Sequence, residues 1–238
     1  MMKLYARFFA PTLALLMQQP AVVEITSEPT HHQVLQNDYV RVFDVQIPTK
    51  TATLPHRHGN DYLFVSFGDA DITNAKVGEQ AVRVQFKDGE ARYTKGGFVH
   101  TVTNNGDHTF HNATVELLQP TTGEHACSEA CEIPIPCASD DKASCPSARK
   151  LFESDQWVAM AVTLPPAATI GEHTHHGPHL VVAVSEVNLK QKKVDAPETA
   201  SHLAAGQVAW VNPVTHSISN AGSQTIRMVT VEFKVPKT

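Results

Sequence analysis

The chain has 238 residues, which is enough for one large domain or for two domains of roughly 100 residues each. Hydrophobic residues make up 42% and charged residues 18% of the sequence, a balance that excludes an intrinsically disordered chain. The net charge is -5 without a long basic run, which argues against a nucleic-acid partner. The unusual component is histidine, with 14 residues, because histidine is the commonest metal ligand among side chains.

Residues 1–30 are predicted to be a leader with the layout of a secretory signal peptide. Lys3 and Arg7 precede an apolar stretch over residues 8–17, as in the basic and apolar regions of such signals. Pro11 interrupts the stretch and no clean small-x-small cleavage site follows, so the alternative is a helix or strand that packs on the fold. No other segment approaches the length of about 18 apolar residues that a transmembrane helix needs, and we expect no membrane partner once any leader is removed.

The predicted first domain, residues 31–120, contains short strands and the motif "LPHRHGNDYLFVSFG". The runs "YVRVFDVQI", "YLFVSF", "AVRVQF" and "HNATVELL" are rich in Val and aromatic residues and are bounded by turn-forming residues, which is typical of strands. Side chains alternate between the two faces of a strand, so His56 and His58 point the same way. A third histidine, His100, comes from a distant strand.

Two histidines from one strand and one from a neighbouring strand can supply three ligands to a metal and leave open positions for water or substrate. We therefore favour metal binding over a purely structural role for these three histidines. Six other histidines are interpreted as solvated residues of loops or strands: His31, His32, His108, His111, His125 and His202.

Residues 121–149 are predicted to form a cysteine-rich linker. All the cysteines of the chain lie in it: Cys127, Cys131, Cys137 and Cys145. An even number of cysteines in a polar, proline-rich segment predicts two local disulfides, and three pairings are open. The alternatives are a zinc site, which would lack the usual C-x2-C spacing, or four reduced thiols. Leader and cysteines together predict export to the periplasm or the extracellular space, with a cytoplasmic protein as the alternative.

The predicted second domain, residues 150–238, contains the motif "IGEHTHHGPHLVVAVS" and the strand-like runs "GQVAWV" and "IRMVTVEF". By strand parity His173, His175 and His179 share a face, and His216 comes from a distant strand. Glu172 is expected to point outward. No segment after the leader shows a long 3.6-residue period, so both domains are predicted to be all-β sandwiches or barrels of the jelly-roll type.

The two domains match each other in sequence, which indicates an internal duplication. A shift of 117 residues aligns the first motif with the second, and a one-residue deletion in the second copy restores the alignment further on. Such a long period predicts two whole domains rather than a solenoid. The aligned pairs include Asp38 and Asp155, His56 and His173, His58 and His175, Gly89 and Gly206, His100 and His216, and Asn104 and Asn220.

These motifs resemble those of the cupin superfamily, and their duplication resembles the bicupins. The first copy supplies "HRHGNDYLFVSFG" and "GEARYTKGGFVHTVTN", and the second supplies "HTHHGPHLVVAVS" and "GQVAWVNPVTHSISN". The resemblance covers roughly residues 34–120 and 150–235. It implies an all-β fold of two tandem cupin (jelly-roll) barrels joined by a cysteine-containing linker. It does not imply one reaction, because one fold hosts many functions.

One feature of the cupin pattern is missing from both copies, namely the glutamate ligand. Its place falls near Tyr62 in the first copy and near His179 in the second, and strand parity turns Asp61 away from the site. Manganese bicupins that decarboxylate oxalate use three histidines and one glutamate per site, which weakens that interpretation. Three-histidine cupins that bind iron and use dioxygen remain compatible, and imidazole ligands also suit zinc, nickel or copper.

Two hypotheses about function follow. The first is a metal-dependent oxidoreductase of the dioxygenase type, with a divalent transition metal (Fe, Mn, Zn, Ni or Cu) and a small organic molecule as substrate. The second is a non-catalytic bicupin that binds metal or ligand, or that retains relic sites. The expected partner is a small-molecule ligand, and the chain is expected to be a monomer or a homo-oligomer.

The two sites are expected to differ. His179 offers a fourth imidazole to the second site, where the first has Tyr62, so the second site is expected to bind metal more tightly. A fourth protein ligand leaves less room for substrate. The first site is therefore expected to be the better catalytic candidate.

Overall fold

A computed structural model describes residues 21–128, 131–137 and 139–235 of the chain. These residues form two β barrels, with short 3₁₀ turns at Ile25–Ser27 and Lys142–Ser144. The strands of the first barrel are β1 (Val23–Glu24), β2 (His31–Gln36), β3 (Val40–Ile47), β4 (His56–His58), β5 (Tyr62–Phe67), β6 (Ala70–Lys76), β7 (Val82–Phe86), β8 (Ala91–Thr94), β9 (Phe98–Asn104) and β10 (Phe110–Leu117). The cysteine-rich segment contributes β11 (His125–Ala126) and β12 (Glu132–Ile133). The strands of the second barrel are β13 (Ser147–Glu153), β14 (Trp157–Leu164), β15 (Thr169–His175), β16 (His179–Ala183), β17 (Val187–Lys193), β18 (Thr199–Leu203), β19 (Val208–Val211), β20 (Val214–Asn220) and β21 (Ile226–Phe233).

Strands β2 to β10 of the first barrel recur in order as β13 to β21 of the second, which confirms the predicted duplicated jelly-roll fold. Strand β3 begins 117 residues before β14, at Val40 and Trp157, and β9 begins 116 residues before β20, at Phe98 and Val214. Each barrel is built from two sheets. In the first barrel the strand orders are β1-β4-β9-β6-β7 and β2-β3-β10-β5-β8. In the second they are β15-β20-β17-β18 and β11-β13-β14-β21-β16-β19, with β12 paired to β13.

The barrels pack against each other through one sheet of each. Along β3 the side chains alternate, so that Val40 and Val42 lie in a core shared by both barrels while Phe43 and Val45 lie in the interior of the first. Apolar residues of this strand are buried on both of its faces, which explains why they do not simply alternate with polar ones. The second barrel contributes Trp157 to the shared core, with an exposed fraction of 0%. The apolar residues of the strands thus form both the interior of each barrel and the interface between the barrels.

The cysteine-rich segment is bound to the second barrel. Strand β12 pairs with β13, and two disulfides join Cys127 to Cys131 and Cys137 to Cys145. Their Cα–Cα distances of 5.7 Å and 5.6 Å are ordinary for disulfides. The prediction of two local disulfides is therefore confirmed, with sequential pairing.

The predicted leader is described only in part, because residues 1–20 lie outside the described residues. From residue 21 onward the chain packs on the first barrel. Val23 pairs with His56 in a parallel ladder between β1 and β4, and Ile25 is buried in the interior core of that barrel. Within residues 21–128, 131–137 and 139–235, no helix combines the length and hydrophobicity needed to cross a membrane.

Candidate metal centres

A group of three histidines converges inside the second barrel. His173 and His216 lie directly opposite each other in the ladder between β15 and β20, and His175 follows on the same face of β15. One ring nitrogen from each of the three lies within 4.8 Å of the corresponding atoms of the other two. This is the spacing expected of side chains that can share one metal ion.

Each of these imidazoles is oriented by an oxygen acceptor. The Nδ1 atom of His173 lies 2.8 Å from the carbonyl oxygen of Gly171, and that of His216 lies 3.3 Å from Gln191 Oε1. The Nδ1 atom of His175 lies 2.8 Å from Glu232 Oε2. Because these acceptors hold the proton on Nδ1, Nε2 is the ring nitrogen of each histidine that is left to bind a metal.

The donor set therefore fits a divalent transition metal. Imidazoles are ligands that zinc, iron, copper and nickel accept, and three protein ligands leave positions open. His216 Nε2 is buried and has no hydrogen-bond partner among the described residues, as expected of an atom meant for a ligand. Burial, followed by repulsion from His173 and His175, lowers the pKa of His216 to about 4, so the ring is neutral at pH 7.

Glu232 was missed by the sequence analysis. It lies on β21, opposite His179 in the ladder with β16. Burial would raise the pKa of its carboxyl, but the hydrogen bond with His175 holds that pKa below its usual value. Carboxylate–histidine pairs of this kind orient metal-binding imidazoles. The second barrel thus has no glutamate in its metal-compatible group, but Glu232 is hydrogen-bonded to one of the three histidines of that group.

His179 lies beside the three-histidine group rather than within it. Its ring stacks on that of His175 with 4.0 Å between centroids. Burial, followed by repulsion from His175, lowers its pKa to about 4. Glu172 is exposed to solvent, which agrees with its predicted outward orientation, although it borders the cavity of the second barrel. A β-bulge between Ile170 and His173 leaves Ile170 and His173 on the inner face of β15.

The first barrel brings its three predicted histidines together and adds a fourth. His56 lies opposite His100 in the ladder between β4 and β9, and their Nε2 atoms are 3.0 Å apart. The ring of His58 lies 5.1 Å from that of His56 and 5.0 Å from that of His100. His31, which was interpreted as solvated, is only 9% exposed and forms a metal-compatible group with His56 and His58.

The fourth histidine of the first barrel has its own carboxylate. His31 Nδ1 lies 2.7 Å from Oε2 of Glu28, which is buried. Burial would raise the pKa of Glu28, but hydrogen bonds with His31 and Thr30 lower it to about 2. The pair stands three residues apart in the sequence, "EPTH", and this spacing is the one signal that could have indicated it.

His56, His58 and His100 are neutral at pH 7. Burial, followed by repulsion between the imidazoles, lowers the pKa of His58 to about 2 and that of His100 to about 3. The same causes lower the pKa of His56 to about 4. The Nδ1 atoms of His56 and His100 lie 2.9 Å and 2.8 Å from the oxygens of Leu54 and Asn74, which directs both Nε2 lone pairs at each other.

Solved structures with similar folds identify the architecture. AerE from Microcystis aeruginosa matches with a TM-score of 0.57 and 10% identity, over 87% of this chain and 99% of that chain. A variant of oxalate decarboxylase OxdC from Bacillus subtilis matches with a TM-score of 0.58 and 10% identity, over 88% and 77%. A cupin 2 conserved barrel domain protein from Leptotrichia buccalis matches with a TM-score of 0.52 and 9% identity, over 86% and 88%. The chain has the bicupin fold.

No family model and no curated protein matches this bicupin in sequence. The structural matches share about a tenth of their residues with it. They establish the fold alone.

The glutamate that corresponds to Glu232 behaves differently in the first barrel of the bicupin. Glu116 lies opposite Arg41 on β3, and the Arg41 Nη2 atom donates to Glu116 Oε2 at 2.6 Å. In the second barrel the residue opposite Glu232 on β14 is Val158, which cannot compete. The other carboxylate oxygen of Glu116 and the Nδ1 atom of His58 are buried without hydrogen-bond partners among the described residues. The second site is therefore the better oriented of the two.

The two cavities also differ, in size and polarity. The cavity of the first barrel holds about 150 Å³ and that of the second about 670 Å³. Three phenylalanines of the first barrel are replaced by smaller residues in the second, which accounts for the difference: Phe64 by Val181, Phe86 by Leu203 and Phe110 by Ile226. The expectation that the first site offers more room for substrate is wrong for this reason.

Two acidic or phenolic residues near the first site do not act as ligands. Asp61 accepts hydrogen bonds from the Tyr93 hydroxyl at 2.5 Å and from the Gly96 amide at 2.8 Å, so it supports a loop. Tyr62 stacks on His58 with 4.2 Å between ring centroids. Burial raises the pKa of Tyr62 to about 12, which keeps the phenol protonated and a poor ligand.

Proposed function

We propose that the second barrel binds a divalent transition metal (Fe, Mn, Zn, Ni or Cu) through Nε2 of His173, His175 and His216. We further propose that this site makes the bicupin a metal-dependent oxidoreductase of the dioxygenase type, acting on a small organic molecule. The observation that carries the proposal is the convergence of three imidazoles, one ring nitrogen of each lying within 4.8 Å of the others, beside a cavity of about 670 Å³. Each Nδ1 atom has an oxygen acceptor, which leaves Nε2 for the metal.

The residues around the site have separable roles in this proposal. A bound metal would supply Lewis-acid and oxygen chemistry. Glu232 holds the proton on Nδ1 of His175 and fixes the direction of the Nε2 lone pair. Apolar side chains such as Val162 and Met228 exclude water from the space in front of the histidines.

Oxalate is a poor fit for this site. The oxalate decarboxylase with a similar fold has Mn(II) centres. The second cavity of the present chain is mostly apolar and far larger than a two-carbon dianion requires. Its metal-compatible group also contains three histidines and no carboxylate. We infer a larger, less charged substrate.

One observation favours the alternative of a non-catalytic metal- or ligand-binding bicupin. Among the described residues that line the second cavity, Glu172 is the sole carboxylate, and it is exposed to solvent. Such a group is poorly placed for general acid–base catalysis. Metal binding without turnover is therefore the second candidate, and the first barrel, with its small cavity, is the stronger case for a relic or structural site.

Metal titration of single variants tests the proposal. His175→Ala should weaken the tighter of the binding events for Fe²⁺ or Zn²⁺ by more than the ~10–100-fold that loss of an outer-shell partner costs. His202→Ala is the matched control, since His202 is an exposed histidine at the rim of the same cavity. Calorimetry on chelator-treated protein gives both affinities. If His58→Ala abolishes the tighter event and His175→Ala leaves it intact, the assignment of the site is wrong.

Oxygen consumption separates the two candidates. Metal-loaded protein should consume dioxygen with at least one compound from a panel of phenols, flavonols and small acids, and the His175→Ala variant should not. Stoichiometric metal binding with no consumption across the panel would favour the non-catalytic candidate.

The compartment belongs to the same proposal. Both disulfides favour an oxidising environment, because such bonds are rare in the cytosol. We infer that the bicupin is exported to the periplasm or the extracellular space, where it binds a small-molecule ligand.

A further inference from the structure

The cysteine-rich segment forms part of the wall of the second cavity. Residues 133–136, "IPIP", line that cavity together with the barrel strands. Ile135 packs against the interior core of the second barrel, whereas Ile133 is 38% exposed. A segment predicted to be a linker thus contributes two isoleucines and two prolines to a concave, apolar surface.

Residues 133–136, which form this wall, are fixed in place by two disulfides and by pairing between strands. Cys131 lies two residues before Ile133 and is bonded to Cys127, and Cys137 directly follows Pro136 and is bonded to Cys145. Strand β12 adds backbone pairing, with Ile133 opposite Ala148 on β13. The prolines restrict the backbone further, since their φ angles are fixed. The wall is therefore preorganised, which lowers the entropic cost of binding a ligand against it.

The lining of the second cavity is more apolar than that of the first. Four polar residues of the first cavity are replaced by apolar ones at the equivalent positions of the second. These pairs are His31 and Ala148, Arg92 and Ala209, Thr94 and Val211, and Asn112 and Met228. The histidine cluster, with Gln191 and Lys193 beside it, is the largest group of polar side chains in the lining. The other polar side chains of the lining are those of Thr169, Glu172, Ser201, His202 and Thr230. The cavity is therefore mostly apolar, and its polar groups are concentrated at the histidines.

We propose that the second barrel binds a predominantly apolar organic molecule of drug-like size, with a single polar group directed at the histidines, and that residues 133–136 are the specificity-determining wall of that site. The volume of about 670 Å³ falls within the ~300–1,000 Å³ that small-molecule sites occupy. The proposal names the substrate class for the function proposed above. The contacts that carry it are apolar, so it does not require the metal.

Binding of N-phenyl-1-naphthylamine, a neutral apolar fluorophore, tests this inference. The wild-type protein should bind it near one to one with enhanced, blue-shifted fluorescence. Ile135→Ser should weaken this binding about tenfold, because it removes buried apolar contact with the ligand. The double variant Cys137→Ser/Cys145→Ser should weaken it as well, because residues 133–136 are then no longer fixed by the disulfide that follows them.

Control variants keep the outcome unambiguous. Val77→Ser, at a 73% exposed position of the first barrel, should leave probe binding unchanged. Ile133→Ser serves as the second wall variant, because a partly exposed residue can be truncated with little effect on folding, and circular dichroism verifies the fold of each protein. Failure of the wild type to bind the probe, or unchanged affinity in both isoleucine variants, would overturn the inference.

Removal of the metal with a chelator separates this inference from the proposed function. The metal-free wild-type protein should still bind the fluorophore. If the wild-type protein takes up no metal but binds the probe in a way that depends on Ile135, the metal proposal is wrong and the proposal of an apolar site is supported.

Discussion

Replacing Trp157 by alanine should lower the free energy of unfolding by about 3–5 kcal/mol. Its indole is 0% exposed and lies in the core that both barrels share. The ring of Tyr93, from the first barrel, lies 5.6 Å from it across the interface. Truncation leaves a cavity where two sheets meet, and neither sheet can close it without moving away from its own barrel.

Urea denaturation followed by circular dichroism measures this loss. Val77→Ala is the control, because Val77 is 73% exposed and its truncation should change the free energy of unfolding by no more than about 0.5 kcal/mol. A Trp157→Ala loss as small as that of the control would show that the barrels do not depend on a common core.

Replacing Glu232 by alanine should weaken metal binding at the second site by about 10–100-fold. Its carboxylate is the acceptor that holds the Nδ1 proton of His175, and without it the imidazole can rotate or change tautomer. Glu232→Gln should lose less, because an amide oxygen still accepts the hydrogen bond although the charge is gone.

The duplication supplies the matched control for Glu232. Glu116→Gln changes the equivalent residue of the first barrel, which bonds to Arg41 rather than to a histidine, and it should leave the tighter metal-binding event unchanged. Calorimetric titration with Zn²⁺ gives the affinities, and thermal unfolding of metal-free protein gives the stabilities. Equal affinities of Glu232→Ala and wild type, with both proteins folded, would remove the orienting role of this carboxylate.

The bicupin fold could be predicted from the sequence because the duplication repeats one pattern of strands and turns. Parity was a sound guide where a strand is regular, as in β4, which places His56 and His58 on one face. It also held for Glu172, which is exposed to solvent as predicted. The bulge in β15 could not be predicted, because a bulge depends on how a strand pairs with its neighbour.

The parts of the sites that were missed depend on contacts distant in the sequence. Glu232 reaches His175 across 57 positions of the chain, and Arg41 reaches Glu116 across 75. His31 joins the first cluster because β2 pairs with β3, which brings it opposite Val45. Cavity volume is still less accessible, since it depends on the sizes of side chains from many strands at once.

The central claim is that the second barrel, through three histidines, is the metal centre of this bicupin. Anomalous diffraction from crystals of the metal-loaded protein, collected at the absorption edge of the bound metal, tests it most directly. The account predicts a peak about 2.0–2.2 Å from the Nε2 atoms of His173, His175 and His216. A peak confined to the cluster of His56, His58 and His100, with none in the second barrel, would contradict it.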